Sequence, residues 1–366
     1  MQRNPVLIID LSKIEHNARV VAGLCGAYDV SLAAVTKGFC AIPIVASAML
    51  AGGCTMVADS RVKNLVKLRE AHINTEYLLL RLPMLSEVEE VIQNADISLN
   101  SEIVTIKALN QAAQKLYKQH KIILMIDVGD LREGIFPCDL TKTVEAILSC
   151  EHLSLVGIGT NLGCFGGILP TPENMQQLLH CKHVIETTYH VNLRFVSAGN
   201  SCGLRLLASG KMPAGINHFR VGEAILLGRS TTDHWVIPWT YRDAFIIRAE
   251  IVECNEKPSC PIGLQGYDAF DHLPYFVDQG LRRRVILALG RQDIAVAKDL
   301  HPLDPKVVIW GATSDYTIVD ITQSERPYQV GMTMEFIPDY GGLLSAATSE
   351  YIEKVLIRTP ITTDKT

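Results

Sequence analysis

Lys37 closes the apolar run Ser31-Leu32-Ala33-Ala34-Val35-Thr36 and is followed at once by Gly38. Such a run, ended by glycine, reads as a buried strand whose carboxyl end opens into a loop, so the ammonium points into the mouth of a sheet or barrel. Desolvation there lowers a lysine's pKa and makes the amine a nucleophile toward an aldehyde at neutral pH, the chemistry of a Schiff base. The alternative is a lysine whose stem lies along the strand end with its head in water. Two other stretches bear on the choice. Ser197-Ala198-Gly199-Asn200-Ser201-Cys202-Gly203 offers backbone amides and a hydroxyl, and Gly222-Glu223-Ala224 offers amides. Each alone reads as a turn. Following the last two of a series of strands, they together form a phosphate cradle, and a phosphate opposite a lysine is the anatomy of a pyridoxal 5′-phosphate site.

Two arginines suit that chemistry. Arg220, in Asn217-His218-Phe219-Arg220-Val221-Gly222, cannot give up its proton, so beside a pyridine nitrogen it only donates and leaves that nitrogen unprotonated. The electron sink is weakened, and a negative charge at Cα is quickly reprotonated, which suits racemisation. The other reading is an arginine in a strand-end salt bridge. Arg132 stands in Asp127-Val128-Gly129-Asp130-Leu131-Arg132-Glu133-Gly134-Ile135, flanked by turn-forming glycines, and suits a cofactor phenolate oxygen or a carboxylate. Asp130 and Glu133 either receive a basic substrate or pair with Arg132.

The elements that must position these groups follow from the hydrophobic pattern. Apolar strands at about 31–37, 55–59, 77–82, 97–100, 121–127, 153–161, 193–197 and 219–221 alternate with helical patterns such as 103–117 and 174–190. Eight strands too apolar to keep a wet face, in strict alternation with helices, predict a closed (β/α)8 TIM-type barrel, an α/β fold. An open doubly wound sheet would need a glycine fingerprint after its first strand, and Lys37-Gly38-Phe39-Cys40-Ala41 is none. Polar residues gather at the strand ends: Lys37, Asp59, Arg81, Asn100, Asp127, Asn161 and Asn200. Beyond about Thr232 the segments become short, β-rich and separated by Gly, Pro and Asp turns, so residues 1–235 are expected to form the barrel and 236–366 an all-β C-terminal domain.

Composition excludes several classes. The chain of 366 residues is 48% hydrophobic and 20% charged with a net charge of -5, and its one basic run is Arg282-Arg283-Arg284, so a nucleic-acid partner is not expected. Residues 1–5 carry no charged-then-apolar leader and no later stretch has a membrane span's length, which predicts a cytoplasmic protein. Ten cysteines without two-residue spacing argue against a zinc module or a disulfide framework, and no His/Asp/Cys cluster has metal-ligand spacing.

With these residues assembled, the chain resembles the alanine racemase family of barrel pyridoxal-phosphate enzymes, and within it the alanine/ornithine racemase branch. The resemblance is carried by Val35-Thr36-Lys37-Gly38-Phe39-Cys40, Ala58-Asp59-Ser60-Arg61, Leu79-Leu80-Arg81-Leu82-Pro83-Met84, Asp96-Ile97-Ser98-Leu99-Asn100-Ser101-Glu102, Gly129-Asp130-Leu131-Arg132-Glu133-Gly134-Ile135, Gly157-Ile158-Gly159-Thr160-Asn161-Leu162, the run from Arg220 to Arg229, and Pro261-Ile262-Gly263. It implies that Lys37 is the Schiff-base lysine and one of two proton-transfer groups. By the same correspondence Arg132 lies near the phenolate oxygen and Arg220 faces the pyridine nitrogen. Asn161, Asn200, Ser201, Gly222 and Glu223 fall in cofactor-binding positions. Ser314 and Asp315 match residues whose backbone amides hold the substrate carboxylate from the partner subunit of a homodimer. The implied activity is racemisation of a small amino acid, either a basic one (ornithine or lysine) or alanine.

The sequence also departs from the family's pattern. A phosphate-binding tyrosine is replaced by Ala41, a histidine after the sixth strand by Asn161, and the second proton-transfer tyrosine by Ile262, which carries no proton. Tyr267 and Asp268 are the nearest replacements, although Asp268 equally reads as a loop residue bonding its own backbone. Asp130, Glu133, Asp268 and Asp271 are consistent with a cationic substrate and equally with ion pairs. A decarboxylase or lyase of the same fold, and a cofactor carrier without turnover, are the alternative functions.

Overall fold

The computed structural model describes residues 4–230 and 232–361. Residues 1–3, where a leader would begin, lie outside the described residues. The chain divides into two compact units, Leu11–Tyr241 and a unit made of residues 4–10 with Arg242–Arg358. The first strand, β1 (Val6–Asp10), belongs to the second unit. There it pairs antiparallel with the long strand after the barrel and parallel with the last strand of the chain.

Within Leu11–Tyr241, eight parallel strands close on themselves: β2 (Ser31–Val35), β3 (Met56–Asp59), β4 (Glu76–Leu79), β5 (Ile97–Asn100), β6 (His120–Met125), β7 (Leu153–Gly159), β8 (Phe195–Gly199) and β9 (His218–Val221). This is the barrel that the alternating pattern predicts. Its interior is filled by every second residue: Ala33 and Val35, Met56 and Ala58, Leu78, Ile97 and Leu99, Ile123 and Met125, and Phe195. Small side chains on β2 and β3 leave room for methionine and phenylalanine from the opposite wall. The intervening residues of most strands are apolar and buried as well, whereas β5 pairs Ser98 with Asn100 on one face and β9 pairs His218 with Arg220. Strands expected to reach Lys37, Leu82, Asp127 and Asn161 stop two or three residues earlier, because those polar ends turn outward into loops.

Gly199, at the end of β8, shows how tightly the mouth is built. A Cβ there would lie 2.1–2.2 Å from three ring carbons of Phe219, which is itself fully buried on β9. Phe219 has no room to retreat, so Gly199→Ala should destabilise the protein by about 3 kcal/mol or more. A denaturant midpoint within error of wild type would show that the barrel opens to admit the methyl group.

The second unit is a strand-built body. Its strands are β10 (Phe245–Pro258), β11 (Leu281–Leu287), β12 (Leu300–Pro302), β13 (Val308–Ala312), β14 (Thr317–Asp320), β15 (Thr333–Pro338) and β16 (Glu353–Ile357), in the order β12-β15-β10-β11-β14-β13. These ladders are antiparallel. Phe245, Ile247, Ala249 and Ile251 of β10 alternate inward and are fully buried, the half-buried pattern of an antiparallel sheet. A helix, Tyr340–Thr348, packs with this unit and was not visible as a break in the β-rich texture. Among the described residues, no helix is long and apolar enough to cross a membrane.

Candidate active site

Strand β2 delivers Lys37. After Val35 the chain bends into a single tight turn, Lys37–Phe39, and Cys40 and Ala41 follow in the left-handed region at φ 53° and 47°. The half-buried Lys37 amine therefore sits at the carboxyl end of the barrel, the face where such folds assemble their sites. Burial lowers its pKa below the ordinary lysine value, and the Arg132 cation pushes the same way. The Cys164 thiol and the Asp59 and Glu133 carboxylates act in the opposite sense.

Beneath that turn lies a pair the sequence reading did not single out as functional. Thr36 donates its hydroxyl to Asp59 Oδ2 at 2.5 Å, and Asp59 Oδ1 accepts from the Arg61 amide at 2.9 Å and Asn64 Nδ2 at 3.0 Å. Asp59 is fully buried, and burial raises its carboxyl pKa against those three hydrogen bonds. Its presence among the polar strand ends was the available signal. The pair anchors the residue immediately before Lys37 to the neighbouring strand.

Arg220 comes from β9, which pairs directly with β2, Ala33 opposite Arg220. It is 5% exposed, and burial lowers its pKa to about 10, so it stays charged at neutral pH. Among the described residues it makes no salt bridge. Its Nη2 donates to the Thr160 carbonyl at 2.7 Å, and Nη1 donates to the Ser197 carbonyl at 2.7 Å and to the Ser197 hydroxyl. Ser197 Oγ in turn meets His218 Nδ1 at 2.7 Å.

The loops close the ring. Arg132 is exposed and forms a two-pronged ion pair with Glu133. The Asn161 amide stands beside this pair. With its nitrogen toward Glu133 at 3.3 Å, its oxygen accepts from Asn200 Nδ2 at 3.1 Å; turned over, its oxygen accepts from Arg132 Nη1 at 3.1 Å. Asn200 also donates to the Leu162 carbonyl at 2.7 Å and caps the turn Ser201–Gly203 through the Cys202 amide at 2.9 Å. Ser201 Oγ accepts from the Ala224 amide at 3.1 Å, which ties the loop after β8 to the turn after β9. In that turn, a Cβ on Gly222 would approach Val35 Cβ to 3.2 Å, and Glu223 pairs with Arg229 at 3.5 Å.

Asp130 acts on Arg132 through its charge, with no hydrogen bond to the guanidinium among the described residues. It is 1% exposed, and its carboxylate accepts the backbone amides of Gly163, Phe165 and Ile168 at 3.0–3.3 Å and of Cys164 at 3.4 Å. A single carboxylate thus folds the glycine-rich loop 163–168. That loop carries the exposed Cys164, whose Sγ lies 3.7 Å from Asn161 Nδ2 and 3.8 Å from Asn200 Nδ2. Asp130→Ala leaves these amides without their acceptor, so their exchange with D₂O should accelerate by about tenfold or more while β6 and β7 amides are unchanged. Unaltered exchange across 163–168 would mean that the loop is held by something else.

The barrel unit therefore gathers Lys37, Arg132, Asn161, Asn200, Ser201, Arg220, Gly222 and Glu223 at the same ends of its strands. The other four expected residues belong to the second unit. Tyr267 is 76% exposed there. Asp268 accepts the Phe270 and His272 amides at 2.8 and 2.9 Å, which hold its carboxyl below the usual range. Its geometry is that of a loop residue bonding its own backbone, and a carboxylate so held has little tendency to carry a proton at neutral pH. Ser314 Oγ donates to Asp315 Oδ2 at 2.9 Å, and the Asp315 amide donates to Thr313 Oγ1 at 3.4 Å.

The barrel mouth fits pyridoxal phosphate. It offers a half-buried amine, a charged donor that is nearly fully buried, two small-residue loops joined by Ser201, and a buried hydroxyl, Thr160 Oγ1, that lacks a partner among the described residues and belongs to the residue whose carbonyl Arg220 holds. Comparison with known proteins agrees. Residues 9–230 match the family described as alanine racemase, N-terminal domain. The chain is 43% identical to the ornithine racemase of Acetoanaerobium sticklandii, covering 96% of this chain and 99% of that protein. It is 40% identical to the lysine racemase of Thermotoga maritima, covering 96% and 98%. Among solved structures, the alanine racemase of Streptomyces lavendulae superposes with a TM-score of 0.76 at 16% identity, covering 98% and 99%. The D-threonine aldolase of Filomicrobium marinum superposes with a TM-score of 0.72 at 15% identity, covering 94% and 88%. These two likenesses establish the fold, which serves more than one reaction.

Proposed function

The chain belongs to the alanine racemase family, and from that premise we propose that it is a pyridoxal 5′-phosphate-dependent racemase of a basic amino acid, ornithine or lysine, working as a homodimer. The observation that supports this reading most is the pairing of β2 with β9, which joins the strand that leads into a half-buried lysine to the strand that carries a buried arginine. The preference for a basic substrate rests on the two relatives that span nearly the whole chain.

Bound through its aldehyde, the cofactor would supply the electron sink that loosens the substrate's α-proton. Lys37 Nζ, its pKa lowered by burial, is the amine that would hold the aldehyde carbon and then take or return the α-proton on one face. Arg220 has only donors to offer a ring nitrogen, which keeps that nitrogen from holding a proton. Ser201 and the amides around Gly222 and Glu223 would hold the phosphate. Arg132 would meet the phenolate oxygen or the substrate carboxylate, with Glu133 and Asn161 fixing its plane. Racemisation needs a second proton carrier on the opposite face. Ile262 is not one, and Tyr267 is the better of the two candidates because the Asp268 carboxylate is committed to its turn.

The test is to incubate cofactor-loaded protein with L-ornithine, L-lysine and L-alanine in D₂O, following α-proton exchange by NMR together with optical rotation. Exchange with loss of rotation is expected, with ornithine and lysine faster than alanine by about tenfold or more. Carbon dioxide or keto acid as the main product would replace racemisation with lyase chemistry. A protein that takes up the cofactor yet exchanges no α-proton would be a carrier. Sedimentation should give twice the 40.3 kDa chain mass, and a monomer that is active would end the shared-site reading.

A further inference from the structure

Arg220 is held by Ser197, and Ser197 in turn meets His218. Guanidinium groups donate and never accept, so Ser197 Oγ accepts from Arg220 Nη1. The hydroxyl proton of Ser197 is then available to its other neighbour, His218 Nδ1, at 2.7 Å, a contact whose direction depends on the ring's tautomer. With Ser197 donating, His218 Nδ1 is the unprotonated acceptor and the ring proton sits on Nε2. Burial drives the fully buried His218 down to about 3, so the ring is neutral at any working pH. Nε2–H itself has no partner among the described residues. A buried ring nitrogen left unpaired is destabilising, so this histidine does not stand in the barrel for stability alone.

We propose that His218 and Ser197 form a buried relay whose task is to aim Arg220, with His218 a positioning residue acting through the serine. His218 and Arg220 are two apart on β9 and share a face, and β8 brings Ser197 opposite His218 in register. Without the imidazole acceptor, the Ser197 hydroxyl is free to rotate and can present its proton to Arg220, where it repels. With it, the oxygen lone pair is fixed toward Nη1. The Ser197 and Thr160 carbonyls then set the guanidinium plane, leaving its remaining donors for the mouth. This inference rests on the reading above, in which Arg220 meets the cofactor's ring nitrogen.

The experiment compares Ser197→Ala, His218→Phe, His218→Asn and Arg220→Lys, each as cofactor-loaded protein and each without cofactor. Asparagine places Oδ1 where Nδ1 stood and keeps an acceptor, whereas phenylalanine keeps the ring and loses it. The relay predicts that Ser197→Ala and His218→Phe lower kcat about tenfold with cofactor affinity and KM changed less than about threefold, and that His218→Asn stays within about threefold of wild type. In cofactor-free protein, the slowly exchanging Arg220 side-chain N–H signal, identified by its loss in Arg220→Lys, should exchange faster in Ser197→Ala and His218→Phe but not in His218→Asn. A purely structural role predicts the reverse order, since phenylalanine fills the ring's space and asparagine does not. His218→Phe outperforming His218→Asn in rate or exchange would therefore overturn the relay. If Arg220→Lys alters neither the visible spectrum nor the rate, the placement of Arg220 at the ring fails instead, and the exchange measurement alone decides the relay.

Discussion

Lys37→Met is expected to abolish racemisation, by at least about 10³-fold, while making the cofactor-free protein more stable than wild type at neutral pH. The loss follows because one side chain provides both the amine for the aldehyde and the proton carrier on one face of Cα. The gain follows from burial. Lys37's pKa is lowered in the fold, so the unfolded chain binds its proton more tightly than the folded one. Below the folded pKa the ammonium is charged in both states and the full desolvation cost weighs on the fold. As pH rises from there toward the ordinary lysine value of 10.5, the cost fades, and above it nothing remains. The stability advantage of Lys37→Met should therefore be largest below the folded pKa and shrink as pH rises from there toward 10.5. Denaturant melts of both proteins from pH 6 to 10.5 check this. A variant less stable than wild type at pH 7 would mean that the ammonium is a structural ion-pair partner rather than a strained nucleophile, and residual activity above a few per cent would move the proton carrier elsewhere.

What could be read from the sequence, and what could not, divides along physical lines. The barrel was legible because each of its strands is buried on both faces, and continuous apolar runs alternating with helices admit few other solutions. Lys37 and Arg220 were legible because a charged residue ending an apolar strand is expensive unless it is used. The partners of those charges were not. Nothing in the spacing of Ser197 and His218 says that one strand's hydroxyl meets the next strand's imidazole, because that contact depends on the stagger of the closed sheet. The same holds for Asp130, an acidic residue near an arginine in sequence whose partners are backbone amides more than thirty residues on. The first strand illustrates a third kind of gap. Val6–Asp10 has the composition of any barrel strand, and only its pairing with β10 and β16 assigns it to the other unit. Within their own unit, Asp268, Ser314 and Asp315 are engaged with loop neighbours and Tyr267 is exposed, an environment that no spacing in the sequence announces.

Arg220→Glu should be the second most damaging change, and its damage should differ in kind from that of Lys37→Met. Five donors become an acceptor pair facing the Thr160 and Ser197 carbonyls, each now 2.7 Å from a guanidinium nitrogen. Oxygen facing oxygen in a buried site is repulsive, so the carboxyl is driven toward its protonated form or the strand ends part. A loss of about 3–5 kcal/mol in stability is expected, as for any buried charge deprived of its partners. The catalytic consequence follows from the proton. A carboxyl beside the ring nitrogen can share one with it, strengthening the electron sink, so negative charge at Cα persists longer and is returned as a proton less promptly. Racemisation should fall by about 100-fold while keto acid formed per turnover rises. Arg220→Gln separates the two effects, since it keeps an N–H donor without offering a proton: it should lose less stability and show no rise in keto acid. Both products are measured in one reaction, optical rotation for the first and a coupled keto acid assay for the second. Equal losses of both in Arg220→Glu, with no change in their ratio, would reduce Arg220 to a strut of the barrel and withdraw it from the chemistry.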